Sequence, residues 1–305
     1  MNTAIKLITF SLFLSVASAN LYGVWQDGNT ANFGIISETG VPTMKLEFPG
    51  YTNWHVGNSA MNNFTSMFTF VLSSNNIQYL VSVNVATNKV LYFAPIPEGK
   101  IPYGLKYDPD VNSMKCVLQG SGNNTWLVGE MDPASASYDT YGMVQGAYLS
   151  TGLSPYNHSY FVVVGVQQGG PEILMYSYDT RSGQETGDVV LLLPQNFIGG
   201  PYNLLYIPTL DVLVCNILIK DENDNTGMDY AIIDIVGGTV KPLGIFTPSQ
   251  AVSVVSHAAH GSLIYANVNN DANLQFVTID LSQNKQLSST PQTTFVVSMG
   301  YFTNY

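Results

Sequence analysis

Short apolar runs rich in Val, Ile, Tyr, Phe and Thr recur along this chain, each bounded by Gly, Asn, Asp, Pro or Ser, the pattern of strands and turns. Beyond the first 19 residues no segment keeps the three-and-four apolar spacing of a helix. At six places a strand pattern runs into a turn and out again: Ile35 to Gly40, Val83 to Asn88, Met131 to Ser135, Tyr178 to Gly183, Ile233 to Gly238 and Ile279 to Asn284. The turns open on Ser37, Asn84, Asp132, Asp179, Asp234 and Asp280, at intervals of 47, 48, 47, 55 and 46 residues. Such a period predicts one supersecondary unit repeated around or along an axis.

Each period divides into four runs. In the fifth unit they are Tyr202 to Ile207, Val212 to Lys220, Met228 to Ile235 and Val240 to Phe246. The sixth gives Val252 to Ala258, Ser262 to Val268, Leu274 to Leu281 and a poorer run near Gln286 to Thr290. Four strands per period with no helix between them predict an all-β fold, a six-bladed β-propeller. Seven blades, the alternative, would need periods of about 40 residues. The 55-residue interval is assigned to the polar insert Lys220 to Thr226. The opening Leu21 to Trp25 reads as the second strand of a blade and the closing Phe295 to Phe302 as a first strand. Pairing the C-terminal strand with the first blade would close the ring and leave no sheet edge free.

The repeated strand, Asp or Asn, short polar turn and strand resembles the blade hairpins of the six- and seven-bladed propeller superfamily, including the quinoprotein-like and strictosidine-synthase-like groups. The resemblance spans residues 20–305 and brings no catalytic motif of one family, so it transfers no functional residue. In the metal-dependent six-bladed enzymes an inward cluster of acids and amides holds calcium or another divalent ion. Calcium is therefore the one cofactor the resemblance suggests, although no such cluster aligns here.

Residues 1–19 read as a secretory signal: Lys6, an apolar run from Leu7 to Val16, then Ala17-Ser18-Ala19 as a small-x-small cleavage site. That apolar run is too short to cross roughly 30 Å of hydrocarbon, so no transmembrane anchor is expected. The mature chain, 20–305, is expected to form a single domain. Secretion makes Asn63, Asn123 and Asn157, each in an Asn-x-Ser/Thr sequon, candidate glycosylation sites. The whole chain has 10 basic and 21 acidic side chains. Without Lys6 the balance is 9 − 21 = −12. Such a surface repels nucleic acid and anionic lipid, which bind through displaced counterions.

Cys116 and Cys215 fall at corresponding positions two blades apart, too distant for the ~7 Å Cα limit of a disulfide, and are expected to be buried free thiols. Pro102-Tyr103, Pro155-Tyr156 and Pro201-Tyr202, with Tyr51 as a looser relative, are each expected from their spacing to precede an innermost strand. Tyr51, Tyr103, Tyr156 and Tyr202 are accordingly the candidate ligand-binding residues at one channel mouth; the alternative is that the rings wedge between blades. Asn58, Asn203 and His257 are the expected polar residues inside the channel. Asp221 to Gly227 alternates oxygen ligands at a spacing that calcium loops use, but its glycine comes one residue late and the bidentate glutamate is missing, so it reads as a solvated hairpin tip. His257 and His260, three apart in a strand, do not form a metal pair. No nucleophile, phosphate-loop or zinc signature is present. The functional expectation is a secreted binding or scaffold module for an extracellular carbohydrate, peptide or protein. Its rivals are a metal-assisted extracellular hydrolase or lyase and a structural matrix component.

Overall fold

The computed structural model describes residues 19–53, 58–166, 172–245, 247–248, 252–270 and 273–303. All of the expected leader except Ala19 lies outside them. The strands pair into six antiparallel sheets. The first contains β1 (Ala19–Asp27), β2 (Thr30–Ile36) and β3 (Pro42–Pro49). The second is β4 (Ser59–Asn62), β5 (Met67–Ser74), β6 (Ile77–Asn84) and β7 (Lys89–Pro95). The third is β8 (Pro102–Asp108), β9 (Ser113–Gln119), β10 (Thr125–Met131) and β11 (Tyr138–Gln145). The fourth is β12 (Ala147–Ser154), β13 (Ser159–Val166), β14 (Glu172–Asp179) and β15 (Glu185–Val190). The fifth is β16 (Phe197–Ile207), β17 (Val212–Lys220), β18 (Thr226–Ile233) and β19 (Val240–Pro242), with β20 (Thr247–Pro248) also pairing to β18. The sixth is β21 (Val252–His260), β22 (Leu263–Asn270), β23 (Asn273–Asp280) and β24 (Lys285–Pro291). The last strand, β25 (Val296–Thr303), returns to the first sheet and pairs with β1.

Each sheet is a blade, and six blades rather than seven form the ring. The closure follows the expected pairing, with Asn20 opposite Phe302, Tyr22 opposite Gly300 and Val24 opposite Ser298. Thus the C-terminal strand is the innermost strand of blade one, and both sheet edges that a linear arrangement would leave open are paired.

Six buried apolar clusters hold the ring, one at each blade interface among the described residues. The second strand of a blade serves two interfaces, because successive side chains point to opposite faces of a sheet. In β9, Met114, Cys116 and Leu118 pack toward blade two while Val117 packs toward blade four. This is why second strands read as solid apolar runs instead of alternating ones. Outer strands pack on little, and β15 and β24 are mostly exposed, hence their polar sequences.

The six predicted turns join the third and fourth strands of their blades, and in each the opening side chain accepts a hydrogen bond from a backbone N–H two to four residues on. Val41 N donates to Ser37 Oγ (2.9 Å), Thr87 N to Asn84 Oδ1 (2.9 Å) and Ala134 N to Asp132 Oδ1 (3.0 Å). Arg181 N donates to Asp179 Oδ1 (3.0 Å), Val236 N to Asp234 Oδ1 (3.0 Å) and Ser282 N to Asp280 Oδ1 (2.9 Å). A short oxygen-bearing side chain bonding its own backbone fixes the chain reversal, the role that Ser, Asn and Asp share here.

The 55-residue interval has two sources, not one. The hairpin Lys220 to Thr226 supplies part of it. The rest lies in β16, which runs to 11 residues and shifts register against β17 three times.

Candidate functional site

The innermost strands are β25, β4, β8, β12, β16 and β21, and polar side chains link each to the next. Ser59 Oγ donates to Met299 O (3.4 Å) between blades two and one. Asn58 bridges blades two and three, its amide donating to Pro102 O and accepting from Leu105 N. Thr151 Oγ1 donates to Gly104 O (3.0 Å) between blades four and three, and Ser150 Oγ accepts from Leu204 N (2.8 Å) between four and five. Asn203 Nδ2 donates to Val254 O (3.3 Å), and Ser256 Oγ to Val296 O (2.6 Å), completing the circle. Buried backbone groups at the axis are satisfied this way, which holds the inner strands at fixed spacing. Asn58 and Asn203, expected as channel chemistry, are therefore part of this girdle.

Inside the girdle lies an axial cavity of about 280 Å³ to which all six inner strands contribute. It opens at the face where first and second strands are joined, here the hairpin mouth; the opposite face, where the chain passes between blades, is the crossover mouth. Its walls carry Ser59, Lys106, His257, Tyr107, Tyr206 and Tyr301 among apolar residues, and no carboxylate. Lys106 extends from blade three past blade four and donates to Leu204 O of blade five at 3.3 Å. His257 enters from blade six, diametrically opposite Lys106 in the ring. Both are half-buried by exposure, since water reaches them through the mouth. Six strands nevertheless enclose them, and that enclosure governs their protonation. Burial lowers the Lys106 amine to about 8. Burial, and secondarily the Lys106 charge, lowers His257 to about 3, leaving the imidazole neutral at physiological pH.

The hairpin mouth has an aromatic rim. The Tyr107 hydroxyl donates to Asn112 and the Tyr206 hydroxyl to Asp211 Oδ1 (2.5 Å), each five residues on. Both acceptors close four-residue loops in the left-handed conformation, Asn112 at φ 51° and Asp211 at φ 52°. Tyr301 is stacked between His260 (4.2 Å between ring centroids) and Tyr265 (5.8 Å). His260 thus belongs to the rim and His257 to the cavity, so the two do not converge.

The predicted tyrosine rim is not assembled. Tyr51 lies beyond β3 and packs edge-on against Tyr79 (5.6 Å) and Phe93 (5.3 Å), away from the axis. Tyr103 wedges between blades three and four against Trp126 (5.4 Å) and Tyr148 (5.9 Å). Tyr202 lines a second cavity, of about 320 Å³, with Asn203 and Asn216 toward the crossover mouth. Tyr156 does not precede an inner strand; it follows β12 at the hairpin mouth, 70% exposed, 6.2 Å from the Tyr206 ring. Its Pro155 corresponds to Pro109 and Pro208, which open the equivalent loops, and not to Pro102 and Pro201. That loop signature, Pro followed three residues later by Asn112, His158 or Asp211, was the available signal for the true rim. Lys106 had no such signal, because no other blade repeats it.

Cys116 and Cys215 are buried, free and in different blade interfaces. Burial pushes both thiols well up, so neither is a poised nucleophile. Among the sequons, Asn63 sits on the rim of the axial cavity and Asn157 in the β12–β13 loop on the same face. Asn123 is exposed in the β9–β10 turn on the other face. Among the described residues no group of three or more His, Cys, Asp or Glu converges. An amine, an imidazole and phenols do not suit calcium, which takes several carboxylate or carbonyl oxygens. The Asp221 carboxylate is turned into its own loop, accepting from Asn223 N (2.9 Å) and Asn225 N (2.8 Å), and Asp224 pairs with Lys220 (2.6 Å). Among the described residues no helix is long and apolar enough to cross a membrane.

No protein-family model matches the chain, and no curated protein sequence matches it. Solved structures do. A crystal structure of TolB from Acinetobacter baumannii superposes at TM-score 0.63 with 14% identity over 93% of this chain, which spans 66% of the TolB chain. A nidogen/laminin complex contains a chain matched at TM-score 0.63 and 11% identity, over 93% of this chain and 98% of that one. Hydrazine synthase of Kuenenia stuttgartiensis matches at TM-score 0.56 and 14% identity, over 88% of this chain and 82% of that one. At such identities the fold alone is shared, and this chain is a six-bladed β-propeller.

Proposed function

We propose that this protein is a secreted, N-glycosylated binding module that receives an extracellular carbohydrate, peptide or protein segment at its hairpin mouth. The observation that carries the reading is the axial cavity, walled by all six inner strands and rimmed by Tyr107, Tyr206 and Tyr301. Phenol rings offer apolar area with a polar tip and lose little conformational entropy on contact, which suits sugars and peptide side chains. A rigid ring supplies the pre-organisation that limits the cost of binding. The occurrence of the same fold in a nidogen/laminin complex supports a protein-recognition setting. Glycans on Asn63 and Asn157 would narrow access to the mouth without closing the axis.

The test is to screen the full chain on glycan and peptide arrays and titrate the best binder against three variants. Tyr301→Ala and Tyr107→Ala are expected to weaken binding by about tenfold, the loss of one aromatic anchor. Tyr51→Ala, outside the mouth, is expected to leave it unchanged. Equal affinity in all three would remove the hairpin mouth as the binding face.

A further inference from the structure

We propose that the axial cavity is a carboxylate-binding site, in which the Lys106 ammonium pairs with one anionic group of the ligand. The inference rests on the binding reading above and specifies the chemistry at its deepest point. Lys106 is one of only 10 basic residues in the chain. In a protein with 21 acidic side chains, this one has been placed where no carboxylate lines the wall. The ion pairs among the described residues are Lys115 with Glu130, His158 with Asp110 and Lys220 with Asp224; Lys106 is in none of them. Its ammonium donates to the Leu204 carbonyl at 3.3 Å, which uses one of three ammonium protons and supplies no charge.

Holding an ammonium in an enclosed site without a counterion is costly, and an incoming anion removes that cost while gaining a charge-assisted hydrogen bond. The charge count selects the anion class. With His257 neutral, the cavity offers a single positive charge, which balances a carboxylate and leaves a phosphate dianion under-compensated. The neutral His257 imidazole, entering from the opposite side of the cavity, has one N–H that can donate to a carboxylate oxygen, while the Ser59 hydroxyl proton stays with Met299 O. A carboxylate borne by an acidic sugar or by the C-terminus of a peptide presents the same group, and a cavity of about 280 Å³ admits the end of either.

The experiment titrates the purified full chain, by calorimetry, with glucuronate against glucose and with an acetylated dipeptide against its C-terminal amide. At about pH 6.5 the acid of at least one pair is expected to bind about tenfold more tightly than its neutral counterpart, the size of a charge-assisted contact. The pair that shows the preference identifies the source of the carboxylate. The preference should vanish at about pH 9.5, where the amine is largely neutral. Facing groups do not titrate in that window: His257 is neutral throughout, and burial raises the phenols of Tyr107, Tyr206 and Tyr301. Lys106→Met should abolish the preference and Lys106→Arg retain it, with thermal unfolding confirming that both variants fold. Equal binding of acid and neutral partner in both pairs, no binding by either acid, or an undiminished preference in Lys106→Met would overturn the assignment. If Tyr301→Ala still weakens array binding while Lys106→Met changes nothing, the carboxylate site falls and the binding face stands.

Discussion

At the residue scale the axis is built from side chains that have no room to vary. Gly104 sits where blades three and four meet, at φ +60°, with its carbonyl accepting from both Thr151 Oγ1 and Tyr160 Oη at 3.0 Å. A Cβ there would lie 1.8 Å from Thr151 Oγ1. Gly104→Ala therefore combines a left-handed backbone penalty of about 1–2 kcal/mol with a steric overlap that displaces an inter-blade bond, for a total of about 3 kcal/mol or more. Urea unfolding should show the loss. The same substitution in a Thr151→Ala background should cost less, since the closest overlap is gone, while Tyr148 Oη at 2.7 Å and the Cβ at position 151 at 2.9 Å still crowd the new methyl. An equal cost in both backgrounds would mean that blade contact at Gly104 is not the cause. The reactive-looking positions follow the same logic of enclosure. Lys106 and His257 are shifted by one environment, and Cys116 and Cys215 are silenced by another.

At the scale of the element, the turn joining third and fourth strands is the unit that the sequence wrote most plainly. Hydrogen bonds at these turns hold the carboxyls of Asp132, Asp179 and Asp280 below the ordinary aspartate range, chiefly those from Ser135, Ser182 and Ser282. A folded-state value below the unfolded one stabilises the native state above about pH 3.9, and that stabilisation is lost as pH falls through the lowered values. Melting temperature should therefore begin to fall below about pH 6.5, where the His257 imidazole protonates in the unfolded chain but not in the fold, and fall further below about pH 4, where the three carboxyls protonate. Replacing all three by Asn keeps the turn, as Asn84 already does in blade two. The triple variant should show a shallower acid drop, and an unaltered one would exclude these turns as its source. Second strands were as legible as turns, because packing against two neighbours leaves an uninterrupted apolar run. Val212 to Lys220 was bounded to the residue. Outer strands such as β24 were faint because little of them is buried. The rim was misplaced because a Pro-Tyr dipeptide fits two sites, the entry of an inner strand at Pro201 and the loop after one at Pro155. Repetition reveals what every blade needs. Lys106 occurs in one blade only, and a search for periodicity passes over it.

On the scale of the whole molecule, stability and the candidate site depend on the same closure. Deleting β25 would remove Val296 and Met299 from the apolar cluster between blades six and one. It would also cut the girdle at both Ser256 to Val296 and Ser59 to Met299, and take Tyr301 from the rim. The β1 sheet edge and one side of the cavity would open together. Because each blade contributes to two interfaces, the damage should spread beyond blade one, and a chain ending at residue 295 should lose its cooperative thermal transition. A synthetic peptide of residues 296–303 added in trans should restore both the transition and binding at the hairpin mouth, since the β1 edge left behind is a ready template for strand addition. If the shortened chain melts as sharply and at the same temperature as the intact one, then five complete blades support themselves. In that case the inner girdle would be a consequence of blade packing and not one of its causes.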